Sequence, residues 1–106
     1  MLPVETEISQ ERMALAAEEA AGMLRALSNP SRLLILCQLV EREKSVGELE
    51  DALDLGQAYV SQQLARLRSE GLVAATREGR VMRYRLADTR ITPVIQALYD
   101  QYCPRP

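Results

Sequence analysis

Two cysteines, Cys37 and Cys103, are the side chains of this 106-residue chain best suited to chemistry. A cysteine thiolate is both a nucleophile and a metal ligand, so a pair can form a cross-link or contribute to a metal site. The sequence contains no histidine, which removes the commonest metal ligand and the usual general base. Two thiols cannot complete a tetrahedral zinc site unless carboxylates or a second subunit supply the other ligands.

A purely structural disulfide is a poor explanation of the pair. Residues 1–13 are polar and acidic, unlike a signal peptide, and no apolar run approaches the length of a membrane span. We therefore expect a cytoplasmic protein, in a compartment that keeps thiols reduced. The alternative for Cys37 is a small apolar side chain in a buried helix. Cys103, beside Pro104 near the end of the sequence, is harder to explain in that way.

Enzyme motifs are missing from the sequence. It contains no glycine-rich phosphate loop and neither a Gly-x-Ser-x-Gly nor a His-Glu-x-x-His motif. We expect a protein that is not an enzyme, with no catalytic residues, no cofactor and no metal site.

Charge is distributed unevenly along a chain whose net charge is −2. Residues 1–56 carry 5 basic and 11 acidic side chains, whereas residues 86–106 are balanced. Residues 57–85 carry six arginines against Glu70 and Glu78, a local excess of +4 (6 − 2). A local basic face matters more for nucleic-acid binding than the total charge, although arginines can also merely solubilise a surface.

Hydrophobic spacing predicts the elements that position these residues. In order, they are a helix with an apolar stripe over 13–27, an almost wholly apolar helix over 30–41, a short helix to 53, a helix over 57–70, strands at 73–77 and 81–86, and a last helix from about Thr89. Asn29 and Pro30 are typical of a helix start, Ser45 and Glu48 form a capping-box pattern, and Gly71 is typical of a helix end. The predicted fold is one mostly α domain with a small β-hairpin wing, a winged helix-turn-helix of order α-α-α-α-β-β-α. We place it over residues 10–106, after a flexible tail over 1–9.

The helix over 57–70 has the features of a DNA-recognition helix. Val60, Leu64 and Leu67 would face inward, and the opposite face would present Gln57, Tyr59, Ser61, Gln62, Gln63 and Arg66. Glutamine can bond two atoms of adenine and arginine two atoms of guanine, and such helices enter the major groove of duplex DNA. A glutamine-rich face alone is a weak signal, but the turn before it and the basic hairpin after it favour DNA binding. On that hairpin, Arg77, Arg80 and Arg83 would contact phosphates or the minor groove.

The chain resembles the ArsR family of bacterial repressors over roughly residues 20–103. The resemblance is carried by LRALSNPSRLLILCQLV, by SVGELEDALDLGQAYVSQQLARLRSEGLVAATREGR and by YRLAD, and VSQQLARLRSEGLV is similar to the family's recognition helix. It implies a homodimer that binds operator DNA and pairs through its first and last helices. It also argues against the two usual metal sites of the family, because residues 48–51 lack a Cys-x-Cys and the last helix lacks histidine.

The contexts LCQLV and LYDQYC resemble a branch of the family that senses persulfides. That resemblance implies that Cys37 and Cys103 are the sensor. Reactive sulfur species would cross-link them, release the repressor from DNA and derepress sulfide-handling genes. A direct disulfide needs Cα atoms within roughly 7 Å, and bridging sulfurs would relax that limit. Two alternatives are a repressor that senses a metal through the cysteines and carboxylates, and a protein-interaction module that does not bind DNA.

Overall fold

The computed structural model describes residues 9–87 and 90–103, and within them the chain forms five helices and a three-stranded sheet. The helices are α1 (Gln10–Leu27), α2 (Pro30–Glu41), α3 (Val46–Leu53), α4 (Gln57–Ser69) and α5 (Ile91–Tyr102). The strands are β1 (Lys44–Ser45), β2 (Val73–Glu78) and β3 (Val81–Leu86). The predicted mostly α architecture with a hairpin wing is confirmed. The predicted tail lies outside the described residues except for Ser9.

Helix starts follow the capping signals of the sequence. The Asn29 side chain accepts hydrogen bonds from the backbone N–H groups of Ser31 and Arg32, at 2.9 and 3.1 Å. Ser45 and Glu48 form the reciprocal bonds of a capping box at the start of α3. These bonds satisfy backbone N–H groups that a helix start would otherwise leave unpaired. They set where the buried α2 and the first helix of the helix-turn-helix begin.

The turns also follow local backbone chemistry. Asp54 adopts the left-handed conformation, with φ of 56°, between α3 and α4. Gly71 follows α4 with φ of 78°, and Gly79 turns the hairpin with φ of 65°. Glycine carries no Cβ penalty in this region, which explains its place at both positions. These three residues therefore mark the turn between α3 and α4, the end of α4 and the turn of the β2–β3 hairpin.

The core lies where α2 meets α1, α3, α5 and β3. Its fully buried side chains come from four helices: Ile35 and Leu36 of α2, Leu49 of α3, Val60, Leu64 and Leu67 of α4, and Ile91 and Ile95 of α5. The inward face predicted for α4 is thus confirmed. The described ranges contain no helix long and apolar enough to cross a membrane.

One detail of the fold differs from the sequence predictions. A two-residue strand, β1, lies between α2 and α3 and pairs antiparallel with β3, giving the strand order β1-β3-β2. It was missed because Lys44-Ser45 has no apolar alternation, and its pairing depends on the edge that β3 offers. The last helix begins at Ile91, and the predicted start at Thr89 lies outside the described residues.

Candidate thiol site and nucleic-acid interface

Cys37 and Cys103 are brought together by the packing of α2 against α5. Cys37 lies in α2, and Cys103 is the residue that caps the C-terminus of α5. Both thiols are free and half-buried, and their side chains are within hydrogen-bond reach of each other. The fold therefore makes the two thiols neighbours.

The two thiols have unequal surroundings. Burial, followed by the charge and hydrogen bond of Cys103, raises the pKa of Cys37 from 9.0 to about 11. Desolvation disfavours a thiolate, and a neighbouring sulfur that carries negative charge disfavours it further. Cys37 therefore stays protonated at neutral pH. An initial attack by the Cys37 thiolate is therefore disfavoured.

A second contact between α2 and α5 lies one helical turn from the thiols. The hydroxyl of Tyr99 donates to Oε2 of Glu41 at 3.3 Å. Glu41 follows Cys37 by one turn on α2, whereas Tyr99 precedes Cys103 by one turn on α5. The two contacts together show that α2 and α5 run antiparallel where the thiols meet.

Lys44, which was not singled out from the sequence, is buried beside this contact. Its Nζ donates to Oε1 of Glu41 at 2.9 Å and to the side chain of Gln38. The bond from Lys44 holds the pKa of Glu41 below its usual range. A lysine after a helix is usually solvated, so the sequence contained no signal of its burial.

The exposed face of α4 presents most of the predicted DNA contacts. Gln57, Tyr59, Ser61, Gln62 and Arg66 are exposed. The first four lie in the N-terminal half of the helix, which is the half that enters the major groove in helix-turn-helix proteins. This part of α4 is therefore free to meet a partner surface.

The predicted exposure of Gln63 is wrong. It was expected on the exposed face, but its side chain is only 7 % exposed, on the side of α4 that faces the core. Its buried Oε1 has no hydrogen-bond partner among the described residues. The rotation of α4 against the other helices decides this burial, and a polar residue type does not reveal it.

The arginines of the wing divide into two groups. Arg77 and Arg80 are exposed on either side of the hairpin turn. Arg83 is half-buried and forms ion pairs with Glu78 on β2, at 3.1 Å, and with Glu48 on α3, at 3.2 Å. The guanidinium that was predicted to contact phosphate is thus engaged by two carboxylates of the protein itself. It joins the wing to the first helix of the helix-turn-helix.

The first helix leaves much of its surface uncovered. Among its exposed side chains are Met13, Leu15 and Leu24. Two adjoining grooves of about 350 Å³ each run along α1 beside Glu19, Met23 and Arg90. The apolar stripe predicted for this helix is thus buried in the described chain only at its C-terminal end, where Leu27 joins the core.

Metal ligands do not gather around the thiols in the part of the chain that the structure describes. The ranges 9–87 and 90–103 contain no group of three or more Cys, Asp or Glu side chains placed to hold a metal ion. The acidic side chain described near the pair, Glu41, is engaged by Lys44 and Tyr99.

Comparison with known proteins identifies relatives of this chain in sequence and in structure. Residues 29–75 match the model of the arsR family of bacterial regulatory proteins. The biofilm growth-associated repressor of Xylella fastidiosa is 42% identical over 91% of this chain and 84% of its own length. The crystal structure of the repressor BigR from Xylella fastidiosa superposes with a TM-score of 0.82 at 42% identity, over 90% of this chain and 94% of that chain.

Two further structures extend the comparison. Reduced HlyU from Vibrio cholerae has a TM-score of 0.84 at 39% identity, over 89% of this chain and 99% of that chain. A homodimeric winged helix-turn-helix domain from Mycobacterium bovis has a TM-score of 0.70 at 32% identity, over 89% of this chain and 90% of that chain. The relatives are transcriptional regulators by name and none is an enzyme. The chain belongs to the ArsR family and is a winged helix-turn-helix transcriptional regulator.

Proposed function

We propose that the protein is a dithiol-based repressor, which binds operator DNA as a homodimer and leaves it when reactive sulfur cross-links Cys37 and Cys103. Genes for handling sulfide would then be derepressed. The observation that carries this proposal is the contact between the two thiols across α2 and α5. The names of the relatives support it, since BigR is called a repressor and one structure of HlyU is described as reduced.

Binding to duplex DNA would use α4 and the tip of the wing. Gln57, Gln62 and Arg66 are exposed and chemically suited to base edges in the major groove. Arg77 and Arg80 would reach the flanking phosphates or the minor groove. Arg83 would help to hold the wing in place against α3.

Dimerisation would cover the exposed face of α1. Leu24 is 62% exposed although it lies in the apolar stripe of that helix. The two grooves beside Met23 and Arg90 are lined by other residues of the same helix. A second copy that pairs through α1 and α5 would bury these groups and place two α4 helices side by side. The homodimer described for the relative from Mycobacterium bovis supports this arrangement.

The sensing chemistry would begin at Cys103. Its thiolate attacks the sulfane sulfur of a persulfide RS–SH, the S–S bond breaks, RSH leaves and Cys103 becomes Cys103–S–SH. Cys37 then attacks the Sγ of Cys103, the bond from Sγ to the outer sulfur breaks, and that sulfur leaves with the Cys37 proton as H₂S. The protein dithiol has then lost two electrons and the donor has become RSH and H₂S. If a second donor first persulfidates Cys37, the same attack releases one H₂S and yields a trisulfide.

A cross-link at this place could control DNA binding through geometry. It joins the end of α5, a helix of the proposed dimer interface, to α2 in the core. The recognition helices of a dimer must match half-sites about 34 Å apart, so a small change in their separation lowers affinity. Allosteric couplings of this kind are typically about 5–150-fold.

The test is intact-protein mass spectrometry after treatment with glutathione persulfide, combined with a DNA-binding assay on a duplex selected with the reduced protein. We expect a species in which Cys37 and Cys103 are joined, with or without extra sulfur, and a loss of DNA affinity that dithiothreitol reverses. The Cys37→Ser and Cys103→Ser variants should bind DNA and fail to respond. Normal release by Cys103→Ser would contradict the proposal, and so would release that requires a bound zinc or copper ion.

A further inference from the structure

The strand β1 places one buried charge between the thiol pair and the DNA-binding elements. Lys44 is 5% exposed, and its ammonium group donates to Gln38 and Glu41, both on α2. A buried charge is costly unless it is paired, so Lys44 must remain close to the Glu41 carboxylate. The position of β1 therefore depends on the position of Glu41.

Glu41 has a second partner on α5, the helix whose C-terminus is capped by Cys103. One of its oxygens accepts the bond from Lys44, and the other accepts the Tyr99 hydroxyl. Tyr99 lies one turn before Cys103, and the Cys103 backbone N–H donates to the Tyr99 carbonyl. A displacement of Cys103 towards Cys37 must therefore act on the bond between Tyr99 and Glu41.

On its other side, β1 meets both DNA-binding elements. Lys44 pairs with Tyr84 and Ser45 pairs with Arg83, both on β3 of the wing. Ser45 is also the residue that caps α3, the first helix of the helix-turn-helix. A shift of these two residues therefore moves the base of the wing and the start of α3 together.

We infer that Tyr99, Glu41 and Lys44 form a relay that transmits the state of the thiol pair to the wing and to α3, with Tyr99 and Lys44 as its positioning residues. This inference rests on the proposed function for its biological role. Reduced, the three side chains hold β1 in register with β3. Cross-linked, the last turn of α5 moves with Cys103 and the bond from Tyr99 to Glu41 is lost. The Glu41 carboxylate then shifts, Lys44 follows it, and β1 moves relative to β3.

The test uses Tyr99→Phe, which removes the hydroxyl and keeps the ring and the two cysteines. The matched control is Tyr102→Phe, the same change at a side chain that is 80% exposed on the same helix. Each full-length protein is prepared reduced and fully cross-linked, and its affinity for the selected duplex is measured. We expect the cross-link to weaken wild type and the control by about 50-fold and Tyr99→Phe by less than about 5-fold.

A second measurement follows the relay without DNA. Hydrogen exchange of the β1 and β3 backbone amides should accelerate on cross-linking in wild type and stay unchanged in Tyr99→Phe. An equal response of the two proteins would overturn the relay, even if the cross-link still releases DNA. Conversely, hydrogen exchange could accelerate only in wild type while the cross-link causes no loss of DNA affinity. That result would support the relay and contradict the proposed function. Lys44→Met, which replaces the ammonium by an apolar group, should reproduce the uncoupling.

Discussion

Nη1 of Arg83 on the wing lies 3.2 Å from Oε1 of Glu48 on α3. The same carboxylate accepts the backbone N–H of Ser45 and pairs with Arg42. Glu48 thus completes the capping box of α3 and connects the helix-turn-helix to the wing.

The ionisation of Glu48 should make stability depend on pH. Its bond from the Ser45 backbone, followed by that from Arg42, lowers the pKa of Glu48 from 4.5 to about 2. Because the folded pKa lies below the unfolded one, this contribution is complete above about pH 4.5 and is lost as the pH falls towards 2. Glu48→Gln keeps the capping oxygen and removes the charge. Its urea midpoint should lie below that of wild type at pH 7, and the difference should shrink by pH 3. The exposed Glu43→Gln controls for net charge, and a gap that does not depend on pH would contradict the assignment.

Arg80 should contribute equally to the affinity for DNA duplexes of any base sequence. It is exposed beside the turn of the wing, where we propose a contact with phosphate. Arg80→Ala should weaken binding to every duplex and lower the salt slope by about one unit for each phosphate that the protein no longer neutralises. Fluorescence anisotropy over a range of salt concentrations measures both quantities, with Arg25→Ala on α1 as the matched control. The same slope and affinity for Arg80→Ala and wild type would exclude this role.

Cys37 should be unreactive in the folded, reduced protein. With a pKa of about 11 in place of 9.0, its thiolate fraction at neutral pH is about 100-fold smaller than that of an ordinary thiol. Alkylation by iodoacetamide, followed for the Cys37 peptide by mass spectrometry, should be slower in the native protein by about that factor than in unfolding concentrations of urea. The native rate should rise as the pH approaches 11. Equal rates in both states would mean that burial does not protect this thiol.

The exposed stripe of α1 should control assembly. Leu24→Glu places a charge where a second copy would bury a leucine, and we expect it to shift the protein from dimer to monomer and to weaken DNA binding. Sedimentation velocity at several concentrations measures the shift. Val81→Glu, at an exposed apolar side chain of the wing, should leave the sedimentation coefficient unchanged. A Leu24→Glu protein that remains dimeric would show that the partner packs elsewhere.

Much of the fold could be predicted because local chemistry determines it. Asn29, the pair Ser45 and Glu48, and the glycines at 71 and 79 mark helix ends and turns through backbone groups within a few residues. The apolar side of α4 follows from spacing alone. These signals need no knowledge of distant contacts.

The candidate site could be predicted only in part, because long-range packing completes it. Gln63 is buried by the way α4 rotates against its neighbours, and Arg83 is held by a carboxylate from a distant helix. Lys44 is buried because β1 lies between α2 and β3. The two cysteines could be named from the sequence, but their contact depends on the packing of α5 against α2.

The separation of Cys37 and Cys103 along the chain has a consequence for the lifetime of the proposed switch. A cross-link between them would close a loop that spans most of the protein, from the middle of α2 to the end of α5. Closing so long a loop removes conformational entropy from the unfolded chain and favours the folded state by roughly 4 kcal/mol. The DNA-free form would then resist unfolding and proteolysis better than the reduced form does. Return to repression would depend on reductants or on newly made protein, so the response would outlast the sulfur that triggered it.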